Sequence, residues 1–134
     1  MTPVLVDSNV LLDIAYGDAR WASWSSTALA SVADEAVLVI NPLIYAEVSV
    51  RYVSIEAVER AMPTSLYRRE EVPYEAAYLA GKAYVRYRER GGKRRSILPD
   101  FLIGAHAAIA GYRVLTRDPK RYRSYYPTLE LISP

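Results

Sequence analysis

Val4-Leu5-Val6 is a short apolar run that stops at Asp7, and Ala36-Val37-Leu38-Val39-Ile40 is a longer one that stops at Asn41. Apolar runs of this length, ended by turn or cap residues, predict strands buried on both faces. Tyr112-Arg113-Val114-Leu115-Thr116 and Thr128-Leu129-Glu130-Leu131-Ile132 read as two more strands, and residues 66–72 as a further short one. The intervening segments change period. Residues 8–16 carry Val10, Leu11 and Ile14 on one helical face, and helical spacing resumes through Trp21, Trp24, Ala28, Leu29 and Val32. Asn41-Pro42 joins a favoured N-cap to proline at the first helical position, predicting a helix to about Val53. A short helix follows from about Ser54 to near Pro63. Pro73 opens a long helix to about Arg90, closed by Gly91-Gly92, whose Tyr74, Tyr78, Gly81, Tyr84 and Val85 share a face expected to pack on the core, with a partner or dimer surface as the second reading. Pro99 starts a helix that is apolar nearly all round and ends at Gly111.

Short apolar strands alternating with helices predict an α/β fold, with a central parallel sheet flanked by helices on both faces. One domain over residues 1–134 accounts for the whole pattern, which contains no repeat, linker or low-complexity tract. In such folds a ligand site lies at the carboxyl ends of the strands, near the topological switch point.

Composition narrows the chemistry. The 134 residues include no cysteine, which excludes disulfides, zinc ribbons and thiol nucleophiles. The single histidine, His106, excludes a two-histidine acid–base nuclease and a three-histidine metal site. Net charge is only +2, yet residues 1–67 hold 3 basic and 8 acidic side chains while residues 68–134 hold 14 and 7. That asymmetry suits a polyanionic partner on one face and a cation site on another, or two solvated faces of opposite sign. No secretory signal pattern opens the chain, and no apolar run approaches the roughly 18 residues of a membrane helix. An intracellular, cytoplasmic protein without a membrane role is expected.

Four acids stand where the site should be. Asp7 follows the first strand, Glu47 lies in the helix opened by Asn41-Pro42, Asp100 begins the apolar helix, and Asp118 follows the strand ending at Leu115-Thr116. Each has an ordinary structural account. Asp7 and Asp118 suit N-caps, Glu47 suits an ion pair with Arg51, and Asp100 suits the positive end of a helix dipole. In a parallel sheet, however, all four come to one edge. Two unpaired carboxylates ~4 Å apart repel by roughly 4 kcal/mol at an effective dielectric near 20. Such a group persists if protons or a cation offset the repulsion, and an all-oxygen donor set suits Mg2+, with Mn2+ as a substitute. An ion held there lowers the pKa of water and clamps phosphodiester oxygens during in-line displacement.

The stretches Val4-Leu5-Val6-Asp7-Ser8-Asn9, Asn41-Pro42 through Glu47, Pro99-Asp100-Phe101-Leu102-Ile103-Gly104-Ala105-His106-Ala107 and Leu115-Thr116-Arg117-Asp118 together resemble a PIN domain. More narrowly, the chain is similar over its whole length to the VapC ribonuclease toxins of toxin–antitoxin pairs. The resemblance implies a Mg2+-dependent endoribonuclease with a five-stranded parallel sheet, forming a homodimer and held inactive by a VapB-like antitoxin. It implies Asp7 and Asp100 as principal metal ligands, with Glu47 and Asp118 completing the catalytic quartet. It implies that Asn9 and Thr116 orient those acids through hydrogen bonds. Pro119-Lys120-Arg121 stands where some relatives carry a further acid, so a second metal lacks that ligand here.

Basic residues surround these acids. Lys82, Arg86 and Arg90 form a helical stripe continued by Lys93, Arg94 and Arg95, while Arg117, Lys120, Arg121 and Arg123 flank Asp118 among Tyr122, Tyr125 and Tyr126. Arg94, Arg95, Arg117, Lys120 and Arg121 are candidate phosphate contacts, and the tyrosines candidate stacking platforms for single-stranded RNA. The alternative is a solvated helix face and core tyrosines. His106 falls about 240° around its helix from Asp100 and reads as structural. Two other functions stay open. One is a receiver or phosphatase-like domain, forming an aspartyl phosphate with Mg2+; Asn9 then stands where a second Asp belongs, with Lys120 the only nearby lysine. The other is a non-catalytic RNA-binding module. A nucleotide-binding domain is disfavoured, because Asp7-Ser8-Asn9 has no glycine to cradle a phosphate.

Overall fold

The computed structural model describes residues 2–94 and 97–134. Five parallel strands, β1 (Val4–Val6), β2 (Leu38–Ile40), β3 (Tyr67–Arg69), β4 (Arg113–Leu115) and β5 (Leu131–Ile132), form one sheet in the order β3-β2-β1-β4-β5. The helices among the described residues are α1 (Ser8–Tyr16), α2 (Ala22–Glu35), α3 (Pro42–Ser49), α4 (Ile55–Ala61), α5 (Tyr74–Glu89), α6 (Leu98–Ala110) and α7 (Lys120–Tyr125). Successive strand residues point to opposite faces, and Val4, Leu5 and Val6 are all fully buried. Both faces of the central strand are therefore covered, as the alternation of strands and helices predicts.

The order places the switch point between β1 and β4. There the Asp7 amide donates to the Leu115 carbonyl (2.9 Å), so residue 7 leaves one strand beside residue 116 leaving its neighbour. The acids thus meet a crevice that the topology itself opens.

Three helices follow from local chemistry. The Asn41 side chain accepts from the Ile44 amide (3.0 Å) and Pro42 opens the first turn, so α3 starts where its sequence directs. It ends at Ser49, short of the expected Val53. The Ser49 hydroxyl donates to the Tyr45 carbonyl (2.7 Å), and Ser54 must be extended (φ −146°, ψ 155°) to cap α4, so the chain breaks between them. Gly111 closes α6 with φ 75°, a left-handed conformation that suits glycine.

The inward face of α5 is a correction. Tyr74 and Tyr78 are 91% and 69% exposed and Val85 is exposed as well, whereas Ala76, Ala80 and Ala83 are fully buried. Small residues at that spacing let α5 lie close against α6, and the amphipathic tyrosines take the solvent side. The short helix α7, in a segment read only as a charged and aromatic flank, is the other departure.

Candidate metal and phosphodiester site

Asp7 sits at the carboxyl end of β1 and is buried. Its side chain makes no capping bond to α1. Instead Oδ2 accepts from the Thr116 hydroxyl (2.9 Å), the Tyr122 hydroxyl (2.8 Å) and, more weakly, Asn9 Nδ2 (3.3 Å). Thr116 Oγ1 in turn accepts from Asn9 Nδ2 (3.1 Å) and the Asp118 amide (3.1 Å). The expected orienting residues, Asn9 and Thr116, therefore do contact Asp7. Burial pushes the Asp7 carboxyl above its ordinary range despite these donors, and the Asp100 charge adds to the rise.

Asp100, in the first turn of α6, and Asp118, after β4, line the same cleft of about 500 Å3 as Asp7. The Asp100 carboxyl is raised by burial and by Asp118, against the opposing charges of Arg121 and Arg94. Asp118 caps nothing: Pro119 takes that position before α7. Glu47 projects from α3 and accepts from the Ser8 hydroxyl (2.9 Å). Burial raises its carboxyl, and Asp7 and Asp100 reinforce the shift. Its expected partner Arg51 lies instead over the rings of Tyr16 and Tyr52 (5.3 and 5.6 Å).

Three of the four acids are thus held out of their usual range by the same two causes, desolvation and each other. An oxygen-only donor set of this kind fits a hard divalent cation. Asp7, Asp100 and Asp118 share the cleft, and Glu47 adjoins it through Ser8. Among the described residues no three acids or histidines yet close around one point, and Asp100 is bonded to Arg121 Nη1 (3.1 Å).

The cationic residues divide. Arg94, Lys120 and Arg121 line the cleft. Arg117, expected among them, turns away: its Nε donates to both oxygens of Asp13 (3.2 and 2.9 Å), and its guanidinium lies over Trp21. Asp13 is buried and also accepts from the Ser25 hydroxyl (2.9 Å), so this pair braces α1 against α2. Arg95 lies outside the described residues. Tyr122 and Tyr126 are core residues rather than stacking platforms, and Tyr87 and Tyr125 are the rings that line the cleft beside Tyr122. The contribution of Tyr122 to Asp7 escapes sequence reasoning; its signal would have been the i, i+4 pair Tyr122–Tyr126 on one face of a helix.

His106 is fully buried, away from the acids. Because Asn41 Oδ1 accepts from the Ile44 amide, its Nδ2 must donate to His106 Nδ1 (3.0 Å). The neutral imidazole then carries its proton on Nε2, directed at Glu70 Oε1 (3.4 Å). Tyr112 (2.6 Å) and Arg68 (2.9 Å) donate to the other Glu70 oxygen. Burial lowers the His106 pKa, against the pull of Glu70. A group depressed in this way supports folding above its unfolded pKa of about 6.5, and that support is lost as pH falls through the folded value. His106→Gln is therefore expected to flatten the loss of stability below about pH 6.5. It should cost about 1–3 kcal/mol at neutral pH, where Asn41 and Glu70 lose a partner. Cleavage should stay within about tenfold of wild type, or roughly 1.4 kcal/mol of barrier. Melting curves at several pH values and an RNA cleavage assay check this together.

A second, larger cleft of about 830 Å3 runs between Ile40–Ala46, α4 and the end of β3. Of the four glutamates that line it, Glu59 is engaged by Tyr45 and Arg69 and Glu70 by the His106 network.

The PIN domain model matches residues 4–125. A search among curated proteins finds no match. Among solved structures, the chain resembles VapBC2 from Rickettsia felis bound to a promoter DNA fragment, with TM-score 0.73, 14% identity and 98% of each chain covered. It also resembles VapBC-1 from nontypeable Haemophilus influenzae, with TM-score 0.73, 16% identity and coverage of 98% and 97%. FitAcB from Neisseria gonorrhoeae gives TM-score 0.69, 16% identity and 96% of each chain.

Proposed function

Because this chain belongs to the PIN-domain family, we propose that it is a Mg2+-dependent endoribonuclease, the toxin of a toxin–antitoxin pair. The observation that carries the reading is the cleft at the β1–β4 switch point, where Asp7, Asp100 and Asp118 converge and Arg94, Lys120 and Arg121 supply positive charge beside them. Asp7 and Asp100 would hold the cation, with Glu47 and Asp118 contributing directly or through water. The bound ion supplies electrostatic stabilisation to a phosphodiester under attack.

The remaining work belongs to the chain. Thr116, Tyr122 and Asn9 fix the Asp7 carboxylate, and Ser8 fixes Glu47. Tyr87 and Tyr125 offer aromatic surface to unpaired bases, and Arg94, Lys120 and Arg121 contact phosphates. Arg117 supports the site through Asp13. The neighbours named above as VapBC and FitAcB assemblies support a VapB-like antitoxin as partner, and a homodimer is part of the same reading. Exposed Val50, Val53 and Ile55 provide apolar surface for such association. Among the described residues, no helix is long and apolar enough to cross a membrane.

Chelation tests the reading. Single-stranded RNA cleavage should stop in excess EDTA and return when Mg2+ or Mn2+ is restored. Cleavage that survives chelation would move the chemistry away from the four acids. Stable labelling of Asp7 by acetyl phosphate without cleavage would favour the phosphoryl-transfer alternative, and metal-independent RNA binding without cleavage the non-catalytic one.

A further inference from the structure

We propose that Arg121 is the resident counter-cation of the acidic cleft, and that a divalent ion gains Asp100 by displacing it. The inference rests on the metal-dependent reading above but concerns a residue that reading assigns only to RNA. Four acids load this region, and they are stabilised in different ways. Asp7 is held by three uncharged donors and Glu47 by the Ser8 hydroxyl. Asp100 alone of the four has an ion pair among the described residues: Arg121 Nη1 lies 3.1 Å from its Oδ2.

The pair has the character of a replaceable cation. Its side chains are 30% and 39% exposed, so both partners can be rehydrated without opening the core. The arginine comes from α7 and the acid from α6, so neither helix depends on the bond for its own backbone. The guanidinium also lies 5.8 Å from the Tyr87 ring centroid, a second contact that can retain it on the cleft wall once Asp100 is taken. Lys120 and Arg94 line the same wall. Exchange of one cation for another keeps the acids compensated in both states and adds a free guanidinium to the phosphate-contacting group. Metal and RNA binding then reinforce each other, and by linkage each raises the affinity of the other equally.

Titration calorimetry with Mn2+, without RNA, tests the exchange on wild type, Arg121→Gln and Arg121→Lys. Arg121→Gln should bind Mn2+ more tightly by up to about fivefold, the factor that ~1 kcal/mol, the upper end for a part-exposed ion pair, represents. Arg121→Lys, which keeps the charge but loses the planar fork, should fall between the two. Mn2+ should also strengthen RNA binding by wild type more than by Arg121→Gln. Unchanged or weaker Mn2+ binding by a folded Arg121→Gln overturns the inference while leaving the nuclease reading intact. Absence of Mn2+ binding to wild type overturns both.

Discussion

Asp7→Asn is expected to abolish RNA cleavage while leaving the metal-free protein as stable as wild type, or more so. Cleavage should fall by more than about a hundredfold, since even residues that only support a metal ligand cost 10–100-fold when removed. The stability side follows from the sign of the Asp7 shift. Its carboxyl is raised chiefly by burial, with Asp100 adding repulsion, so the folded protein favours the protonated form. Such a group contributes stability that is complete below its unfolded pKa of about 3.9 and is lost as pH rises through the folded value. Asparagine is neutral throughout and escapes that loss. Its carbonyl oxygen can accept the same bonds from Thr116, Tyr122 and Asn9 that Oδ2 accepts now. The stability difference between variant and wild type should therefore grow in favour of the variant as pH rises from about 4 through the folded value, and level off above it. Melting temperatures across that range, beside a cleavage assay, check both halves. A neutral-pH melting temperature well below wild type would show that the charged carboxylate is a structural requirement instead.

The parts of this site that sequence conveys are those set by short-range chemistry. Val4–Val6 and Leu38–Ile40 are short apolar runs ended by polar residues, a length and boundary that suit buried strands, and they form β1 and β2. Asn41-Pro42 announces α3 because a side-chain cap and a fixed φ act within one turn. From these elements a parallel sheet follows, and with it a common edge for Asp7, Asp100 and Asp118.

What remained hidden depends on partners far apart in the chain. Arg117 reads as a phosphate contact because its neighbours are basic, yet Asp13, its real partner, is 104 residues away. The short α7 has almost no apolar period to betray it, so the sequence alone leaves Tyr122 and Tyr126 open between core residues and an RNA surface, and their burial decides for the core. In α5 the large tyrosines outweigh the alanines in any hydrophobic pattern, but close approach to α6 selects for small residues. Side-chain volume, rather than hydrophobicity, decided which face turned inward.

Close packing of α6 on its other neighbour, the α7 segment, makes Gly104 a sensitive position. Gly104→Ala is expected to lower the melting temperature and weaken cleavage, although the change normally favours a helix by about 1 kcal/mol. A Cβ at this position would stand 2.6 Å from two ring carbons of Tyr126 and 3.1 Å from Tyr122. Neither ring is free to yield. Tyr126 is buried with its hydroxyl donating to the Phe101 carbonyl (2.8 Å), and buried Tyr122 donates to Asp7 (2.8 Å). Overpacking of a filled core costs about 1–3 kcal/mol, and two constrained rings put this case at the upper end. The net loss of ~2 kcal/mol corresponds to a fall of roughly 5–10 °C for a domain of this size. Any shift of Tyr122 also disturbs the carboxylate that it orients, so cleavage should drop at temperatures where the variant is still folded. Gly81→Ala on the exposed face of α5 is the matched control, because its Cβ would meet nothing within 4 Å. It should stabilise by about 0.5–1 kcal/mol and leave cleavage unchanged. If Gly104→Ala melts at or above wild type, the two rings yield after all, and Tyr122 does not hold Asp7 rigidly.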